Sequence, residues 1–480
     1  MTTGDLIALL PLVLVGLTAV TVMLSIAVRR RHGLAAGVAA GGLAAAFASL
    51  WPAAAYVPRQ ITPLVVVDPF GLFFIGLIVA ATFAVVILSH GYLARQAEPP
   101  EELYVLLPTA ALGAAAIVVS SHFISFFLGL EVLSVALYGL IAYLTTRERS
   151  IEAGFKYLVL AASSAAVMLF GLALIYARLG TMEFGRMTAL LTTRADFYDP
   201  LLLGGLVLVL TGLGFKLAVV PFHMWTPDVY EGAPAPVAAF VATVSKGAVL
   251  GLMVRYFRES PAGGGPVFLV FTIVAVASMF AGNLLALLQN NVKRILGYSS
   301  IAHLGYILVA FQAGGAMGAQ AVTFYLVAYF VTMLGAFGVV SVMSDGTRDA
   351  DRLDDYRGLF WQRPLLAGVF TAMLLSLAGI PLTAGFLGKF YIVAAGASSG
   401  TWGLLMVLVV TSTIGLFYYL RIVVALYATG RAGAPDAARP RAVPAGSGLV
   451  LAALTVLLIW LGVYPVALLA AIKTIFVGLI

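Results

Sequence analysis

The chain has 480 residues, 62% of them hydrophobic and only 10% charged, with a mean hydropathy of +1.07. No soluble fold keeps so few charges over that length, so composition alone places the chain in a membrane. The net charge of +7 does not indicate nucleic acid, because Lys and Arg stand in short clusters between apolar runs, and zero cysteines exclude disulfides, thiol catalysis and cysteine-held iron-sulfur clusters.

The first apolar run, Leu6 to Val28, is followed by Arg29, Arg30 and Arg31 and has no small-residue cleavage site, which predicts a spanning helix and not a removable signal. Windows of about 20 apolar residues then predict spans near 6–27, 33–52, 69–90, 104–120, 123–144, 153–177, 201–226, 235–257, 267–289, 295–312, 319–343, 365–396, 402–427 and 447–469. The expected class is an all-α polytopic membrane protein with about fourteen transmembrane helices. Arg178 to Pro200 reads as a polar loop. The clusters at Arg29 to Arg31, Arg95, Arg147/Arg149, Lys293/Arg294, Arg348 to Arg363 and Arg431 to Arg441 fall on one side, the cytoplasm by the positive-inside rule. Arg59, Arg178, Arg186, Arg194, Arg255 and Arg258 fall on the other, and both termini are expected to face outward with them.

Self-comparison aligns Leu128-Gly129-Leu130-Glu131 through Tyr138 with Leu296-Gly297-Tyr298-Ser299 through Tyr306, and Tyr157-Leu158-Val159 with Tyr325-Leu326-Val327. Lys216 through Pro221 aligns with Ser376 through Pro381. Each copy covers five helices, an odd number, so the second should be inverted relative to the first. The expected division is 1–103 as an N-terminal three-helix segment, 104–260 and 261–430 as the two repeats, and 431–480 as a loop and last helix. Pro221 and Pro381 should break the fourth helix of each copy, exposing backbone groups at membrane depth.

Four of the six lysines, Lys156, Lys216, Lys246 and Lys389, lie in apolar stretches. A cation there costs at least a few kcal/mol and persists where a partner, water or function holds it. Glu131 has no cation within two turns of its own helix, so Lys216 is its expected partner, either as a static bridge or as a pair whose changing separation loads and unloads a proton. Lys246, in Thr243-Val244-Ser245-Lys246-Gly247, is too deep to snorkel and reads as a relay group, as does Lys389 beyond the second break. His223 and His303 are possible relay members or simply hydrogen-bonded packing residues. Glu152 and Lys156, four apart, suit a local pair or a proton uptake point. Asp228 and Glu231 read as capping or interface groups, and Lys293-Arg294 as a topology anchor.

With these residues in view, the chain resembles the antiporter-like membrane subunits of respiratory complex I, the N type more than M or L. The run Gly214-Phe215-Lys216-Leu217-Ala218-Val219-Val220-Pro221-Phe222-His223-Met224-Trp225-Thr226-Pro227 through Pro236 carries the likeness, together with Arg294-Ile295-Leu296-Gly297-Tyr298-Ser299-Ser300-Ile301-Ala302-His303-Leu304-Gly305-Tyr306. The resemblance implies a proton-translocating subunit of an NADH-quinone oxidoreductase in a bacterial inner membrane, between small K/J-type subunits and subunit M. It puts the family's relay on Glu131, Lys216, Lys246 and Lys389. It implies no cofactor in this chain, with FMN, iron-sulfur clusters and quinone in other subunits, and as partners those membrane-arm subunits and membrane lipids, with no nucleic acid. A rival with the same fold is the D-type component of a multi-subunit Na⁺/H⁺ antiporter.

Overall fold

The computed structural model describes residues 2–95, 101–193, 199–257, 266–429 and 442–477. Helices α1 (Thr3–Val28), α2 (His32–Ala48) and the short α3 (Leu50–Ala54) lead to an antiparallel hairpin of β1 (Arg59–Thr62) and β2 (Val65–Val67), then to α4 (Pro69–Leu93). Asp68 caps α4 by accepting the Gly71 N–H at 2.7 Å, and Pro69 supplies a preset first turn. Next come α5 (Leu103–Val118), α6 (Phe123–Ile141), α7 (Glu148–Leu179), α8 (Phe184–Thr193) and α9 (Pro200–Leu217). The chain continues through α10 (Trp225–Gly232), α11 (Ala235–Phe240), a π-helical turn at Val241–Ser245 and α12 (Lys246–Phe257). After α13 (Pro266–Leu287), α14 (Val292–Ala313) and α15 (Gly315–Met343), it passes through α16 (Leu359–Gln362), α17 (Pro364–Ala378), α18 (Ala384–Ser398), α19 (Trp402–Tyr427), α20 (Ala445–Val463) and α21 (Val466–Val477).

Among the described residues twelve helices are long and apolar enough to cross a membrane. The shorter α5 and the pair α17 and α18, taken as one broken crossing, complete the expected set. Burial is uneven. The run Ala235–Phe257, α14 and α15 are almost wholly enclosed, whereas α1, α7 and α13 leave most of their length uncovered by the rest of the chain. The enclosed helices form the core on which the charged residues converge.

Four elements differ from the sequence expectation. The span expected to end at 226 stops at Leu217, and the segment holding Asp228 and Glu231, expected as capping or interface groups, forms α10, with Pro227 in the first helical turn, where proline is tolerated. The loop expected between Arg178 and Pro200 contains α8, whose Phe184 and Met187 bury one face, Phe184 against Phe123, Phe126 and Tyr256. The span expected at 235–257 carries the π turn. The last helix ends at Val463, because Pro465 cannot continue its hydrogen bonds, and α21 follows.

Contacts sort the loops onto two faces. Helix α4, 25 residues long, separates them by about 37 Å at 1.5 Å per residue. On one face Arg30 pairs with Glu101, Arg95 donates to the Val342 and Ser344 carbonyls, and Arg147 and Lys293 pair with Asp349. On the other, Arg59 pairs with Asp5, Arg255 with Asp68, and the Phe476 ring lies 5.6 Å from Phe70. Both ends of the described chain therefore share a face. Arg194, Arg258, Arg431, Arg439 and Arg441 lie outside the described residues.

Candidate functional site

Helix α9 ends because Ala218 adopts the left-handed conformation, φ 60°, three residues before Pro221. The break leaves Lys216 in the last turn of α9 with its side chain buried. Its ammonium donates to Ser134 Oγ at 2.7 Å on α6 and Tyr157 OH at 3.0 Å on α7, and lies 5.4 Å from the Tyr157 ring centroid. The freed Phe215 carbonyl accepts from Trp225 Nε1 at 3.0 Å, so the broken backbone stays satisfied.

The expected direct Glu131–Lys216 contact is not what the structure holds. Glu131 stands one turn before Ser134 on α6, at the edge of a face where Leu128 and Val135 are exposed, while Ser134 is enclosed. The hydroxyl occupies the place beside the ammonium, and Glu131 acts on Lys216 only through its electrostatic field.

Lys246 follows directly on the π turn, a local winding defect often found at functional positions. It is buried and donates to Ser300 Oγ at 2.5 Å on α14. Tyr329 of α15 also donates to Ser300, at 2.7 Å, and the Tyr230 ring centroid lies 5.4 Å from the ammonium. One turn further along α14, His303 shares hydrogen bonds with Tyr325 OH at Nδ1, 2.7 Å, and with Tyr419 OH at Nε2, 3.0 Å. Tyr419 also bonds Ser299. His303 thus lies within the fields of both Lys246 and Lys389.

The second break runs from Gly379 to Thr383, between α17 and α18. Gly379 is left-handed, φ 85°, and Thr383 caps α18. Lys389 reaches back across the break. Its ammonium donates to the Leu377 and Ala378 carbonyls at 3.0 and 2.9 Å and to Ser412 Oγ at 2.7 Å, with the Tyr306 ring centroid 5.3 Å away. Those carbonyls are the negative end of a half-helix, a ready cation seat.

The remaining candidates lie apart from this row. His223 is buried in the first break. Lys156 is partly exposed and joins Glu152 and Asp228, each at 2.7 Å. Asp228 continues to Arg294 at 2.7 Å, Arg294 to Glu231 at 2.8 Å, and Glu231 to Arg149 at 2.7 Å, forming one ionic chain at the basic face. Lys293, expected as a topology anchor, is buried. It donates to Asp349 and to the Ala233 carbonyl, both at 2.6 Å, and Asp349 also receives Arg147 at 2.8 Å and Tyr92 OH at 2.6 Å. The short loops bring Asp349 over the start of α14, so the charge is enclosed where sequence alone suggested an interface.

The groups that sequence reasoning missed are the hydroxyls: Ser134, Tyr157, Ser300, Tyr325, Tyr329, Ser412 and Tyr419. A signal was present for two of them. Tyr157 and Tyr325 begin the matched Tyr-Leu-Val triplets, and each places its hydroxyl on a titratable side chain, Lys216 and His303. Chemically, the row offers amines and an imidazole, each hydrogen-bonded to groups that both donate and accept. Such an arrangement can hold and pass protons while satisfying buried polar atoms.

Residues 120–415 match the profile of a family described as NADH:quinone oxidoreductase/Mrp antiporter, transmembrane. A curated relative, NADH-quinone oxidoreductase subunit N of Ectopseudomonas mendocina (strain ymp), is 48% identical over 476 residues, covering 97% of this chain and 95% of its own. A chain of respiratory complex I from Thermus thermophilus, solved with bound aureothin, superposes with TM-score 0.82 at 34% identity over 96% of this chain and 99% of that one. A chain of the Mrp complex from Dietzia sp. DQ12-45-1b shares the fold, TM-score 0.85, at 22% identity over 100% of this chain and 98% of that one. The matched segment takes in Lys216, Lys246, His303 and Lys389 together with both breaks, and the chain belongs to the antiporter-like transmembrane family of NADH:quinone oxidoreductases and Mrp antiporters.

Proposed function

We propose that the chain is the N-type antiporter-like subunit of a bacterial complex I and moves protons through Lys216, Lys246, His303 and Lys389, driven by quinone reduction in neighbouring subunits. The observation that carries this reading is the row itself: three lysines on separate helices, Lys216 and Lys246 buried and Lys389 partly so, each seated on hydroxyls or carbonyls, with His303 in the fields of two of them. The near-full-length relative named as an NADH-quinone oxidoreductase subunit supports the complex I assignment over the Mrp one.

A charge shift arriving along the membrane arm moves Glu131 relative to Lys216. With the carboxylate close, the ammonium is favoured; as it withdraws, the proton leaves through water for Lys246, passes His303 and reaches Lys389. Glu152 and Lys156 serve as an uptake or interface pair, and His223 as an accessory group at the first break. The two five-helix units are inverted copies, with the basic face cytoplasmic and both termini periplasmic in the inner membrane. K/J-type subunits flank one side and subunit M the other, and FMN, iron-sulfur clusters and quinone reside in other subunits.

Purification of the tagged chain from native membranes tests the assignment. Hydrophilic redox subunits with inhibitor-sensitive NADH-quinone reductase activity are expected; cation-antiporter partners without redox activity would replace it with Na⁺/H⁺ exchange. Lys216→Ala and Glu131→Ala should each impair quinone reduction and proton pumping in the assembled complex, and near-normal rates of both would reject the switch.

A further inference from the structure

Asn283 is the lone amide in the apolar helix α13, and it is enclosed. Its orientation is fixed by a group that can only accept: Nδ2 donates to the Met279 carbonyl at 2.8 Å. The second Nδ2 hydrogen goes to Tyr306 OH at 2.8 Å, and Oδ1 accepts from Tyr418 OH at 3.1 Å. One side chain thereby ties α13 to α14 and α19.

The two tyrosines lead straight to the row of titratable groups. The Tyr306 ring faces the Lys389 ammonium, 5.3 Å from its centroid, and packs edge-on to His303 at 5.4 Å. Tyr418 packs at 4.4 Å against Tyr419, whose hydroxyl bonds His303 and Ser299. An aliphatic residue at 283 would take one hydrogen-bond partner from each of two buried phenol hydroxyls, leaving Tyr306 with Thr411 and Tyr418 with Tyr419 and Ser299, and each ring would re-orient toward the partners that remain, each loss costing on the scale of a hydrogen bond. The Lys389 ammonium would then lose its aromatic face and His303 its fixed donor geometry. Space is also tight: a Cβ added at Gly415 would lie 2.8 Å from Asn283 Oδ1, so α19 approaches this amide closely.

We propose that Asn283 is a positioning residue for the Lys389 end of the relay, holding Tyr306 beneath Lys389 and Tyr418 behind the Tyr419–His303 pair. This rests on the proton-relay reading above. It separates two duties of the α13–α14–α19 contact. Apolar packing holds the helices, while Asn283 sets the direction of the rings, so a variant can keep the first and lose the second.

The test uses the whole complex in membrane vesicles with Asn283→Leu, Tyr306→Phe, Lys389→Ala and wild type. Rates of proton uptake and quinone reduction are expressed per assembled complex and followed across pH. Asn283→Leu is expected to lower coupled turnover about fivefold or more, the scale of one lost buried hydrogen bond, and to displace the pH profile. Tyr306→Phe, which keeps the ring and loses only its hydroxyl, should fall between Asn283→Leu and wild type. A complex that assembles less but shows wild-type turnover and pH profile per assembled unit gives Asn283 a packing role and overturns the proposal. Should Lys389→Ala itself leave turnover unchanged, the relay reading fails; a defective Lys389→Ala beside an unaffected Asn283→Leu sinks only the positioning role.

Discussion

Lys216 and Lys389 flank the two helix breaks, yet they are held in different ways. Lys216 rests on hydroxyls of two other helices, Ser134 on α6 and Tyr157 on α7, with the Glu131 carboxylate nearby and not in contact. Lys389 rests on the carbonyls of Leu377 and Ala378, the end of the half-helix immediately before its own, and on Ser412. Hydroxyls rotate and belong to helices that can shift; carbonyls at a helix end move only with the backbone. The first seat is made of side chains alone and the second mainly of backbone.

The largest expected effect lies at the basic face, outside both seats. Asp349 receives Lys293, Arg147 and Tyr92, tying the end of α4 to the starts of α7, which carries Tyr157, and α14, which carries Ser300 and His303. Replacing it with alanine takes the carboxylate from the buried Lys293 ammonium and should cost about 3–5 kcal/mol in thermal or denaturant unfolding. Burial pushes the Asp349 carboxyl up, but the Lys293 and Arg147 charges outweigh it and hold the group below its ordinary 3.8. A depressed carboxyl contributes stability that is present above 3.8 and lost as pH falls below it. Wild type should therefore lose stability in that acid range, and Asp349→Asn should lack that component of the loss.

The contrast between seats sharpens with their ligands. Ser134→Ala combined with Tyr157→Phe removes both hydroxyls from Lys216 and should slow coupled turnover about tenfold or more, since a hydrogen bond to a charged group contributes about 1.5–3 kcal/mol. Ser412→Ala leaves Lys389 its two carbonyls and should cost about threefold, near the low end of a hydrogen bond's net contribution of about 0.5–1.5 kcal/mol. Equal losses would erase the distinction.

Backbone changes at the breaks come next. Gly379 is left-handed, and a Cβ there would sit 2.9 Å from Lys389 Cδ. Gly379→Ala should destabilise by about 1–2 kcal/mol, and turnover should fall as Lys389 is displaced. Ala218 already bears a Cβ in the left-handed region, so Ala218→Gly should be neutral or stabilising by less than about 1 kcal/mol. Unfolding midpoints check both: Gly379→Ala should lower the midpoint, and Ala218→Gly should leave it unchanged or raise it.

Much of this was legible in the sequence, because a membrane imposes local rules. An apolar window of sufficient length must be helical, since backbone groups find no partners in lipid, and Pro221 and Pro381 disfavour its continuation, although Pro11 and Pro108 are accommodated inside α1 and α5. Where Pro227 stands in the first turn of α10, or Phe184 and Met187 bury one face of α8, the polar letters around them read as loop, and only packing made them helical.

The sequence by itself determined the membrane class, the spans, the two breaks and which charges lie at depth, because each follows from hydropathy and chain chemistry within about twenty residues. Tertiary structure alone decided who touches whom. It set Ser134 in place of Glu131 on Lys216, Ser300 on Lys246, the carbonyls of a neighbouring half-helix on Lys389, and Asp349 on Lys293. Those partners lie on different helices, and no short-range pattern records how far one helix is rotated against another.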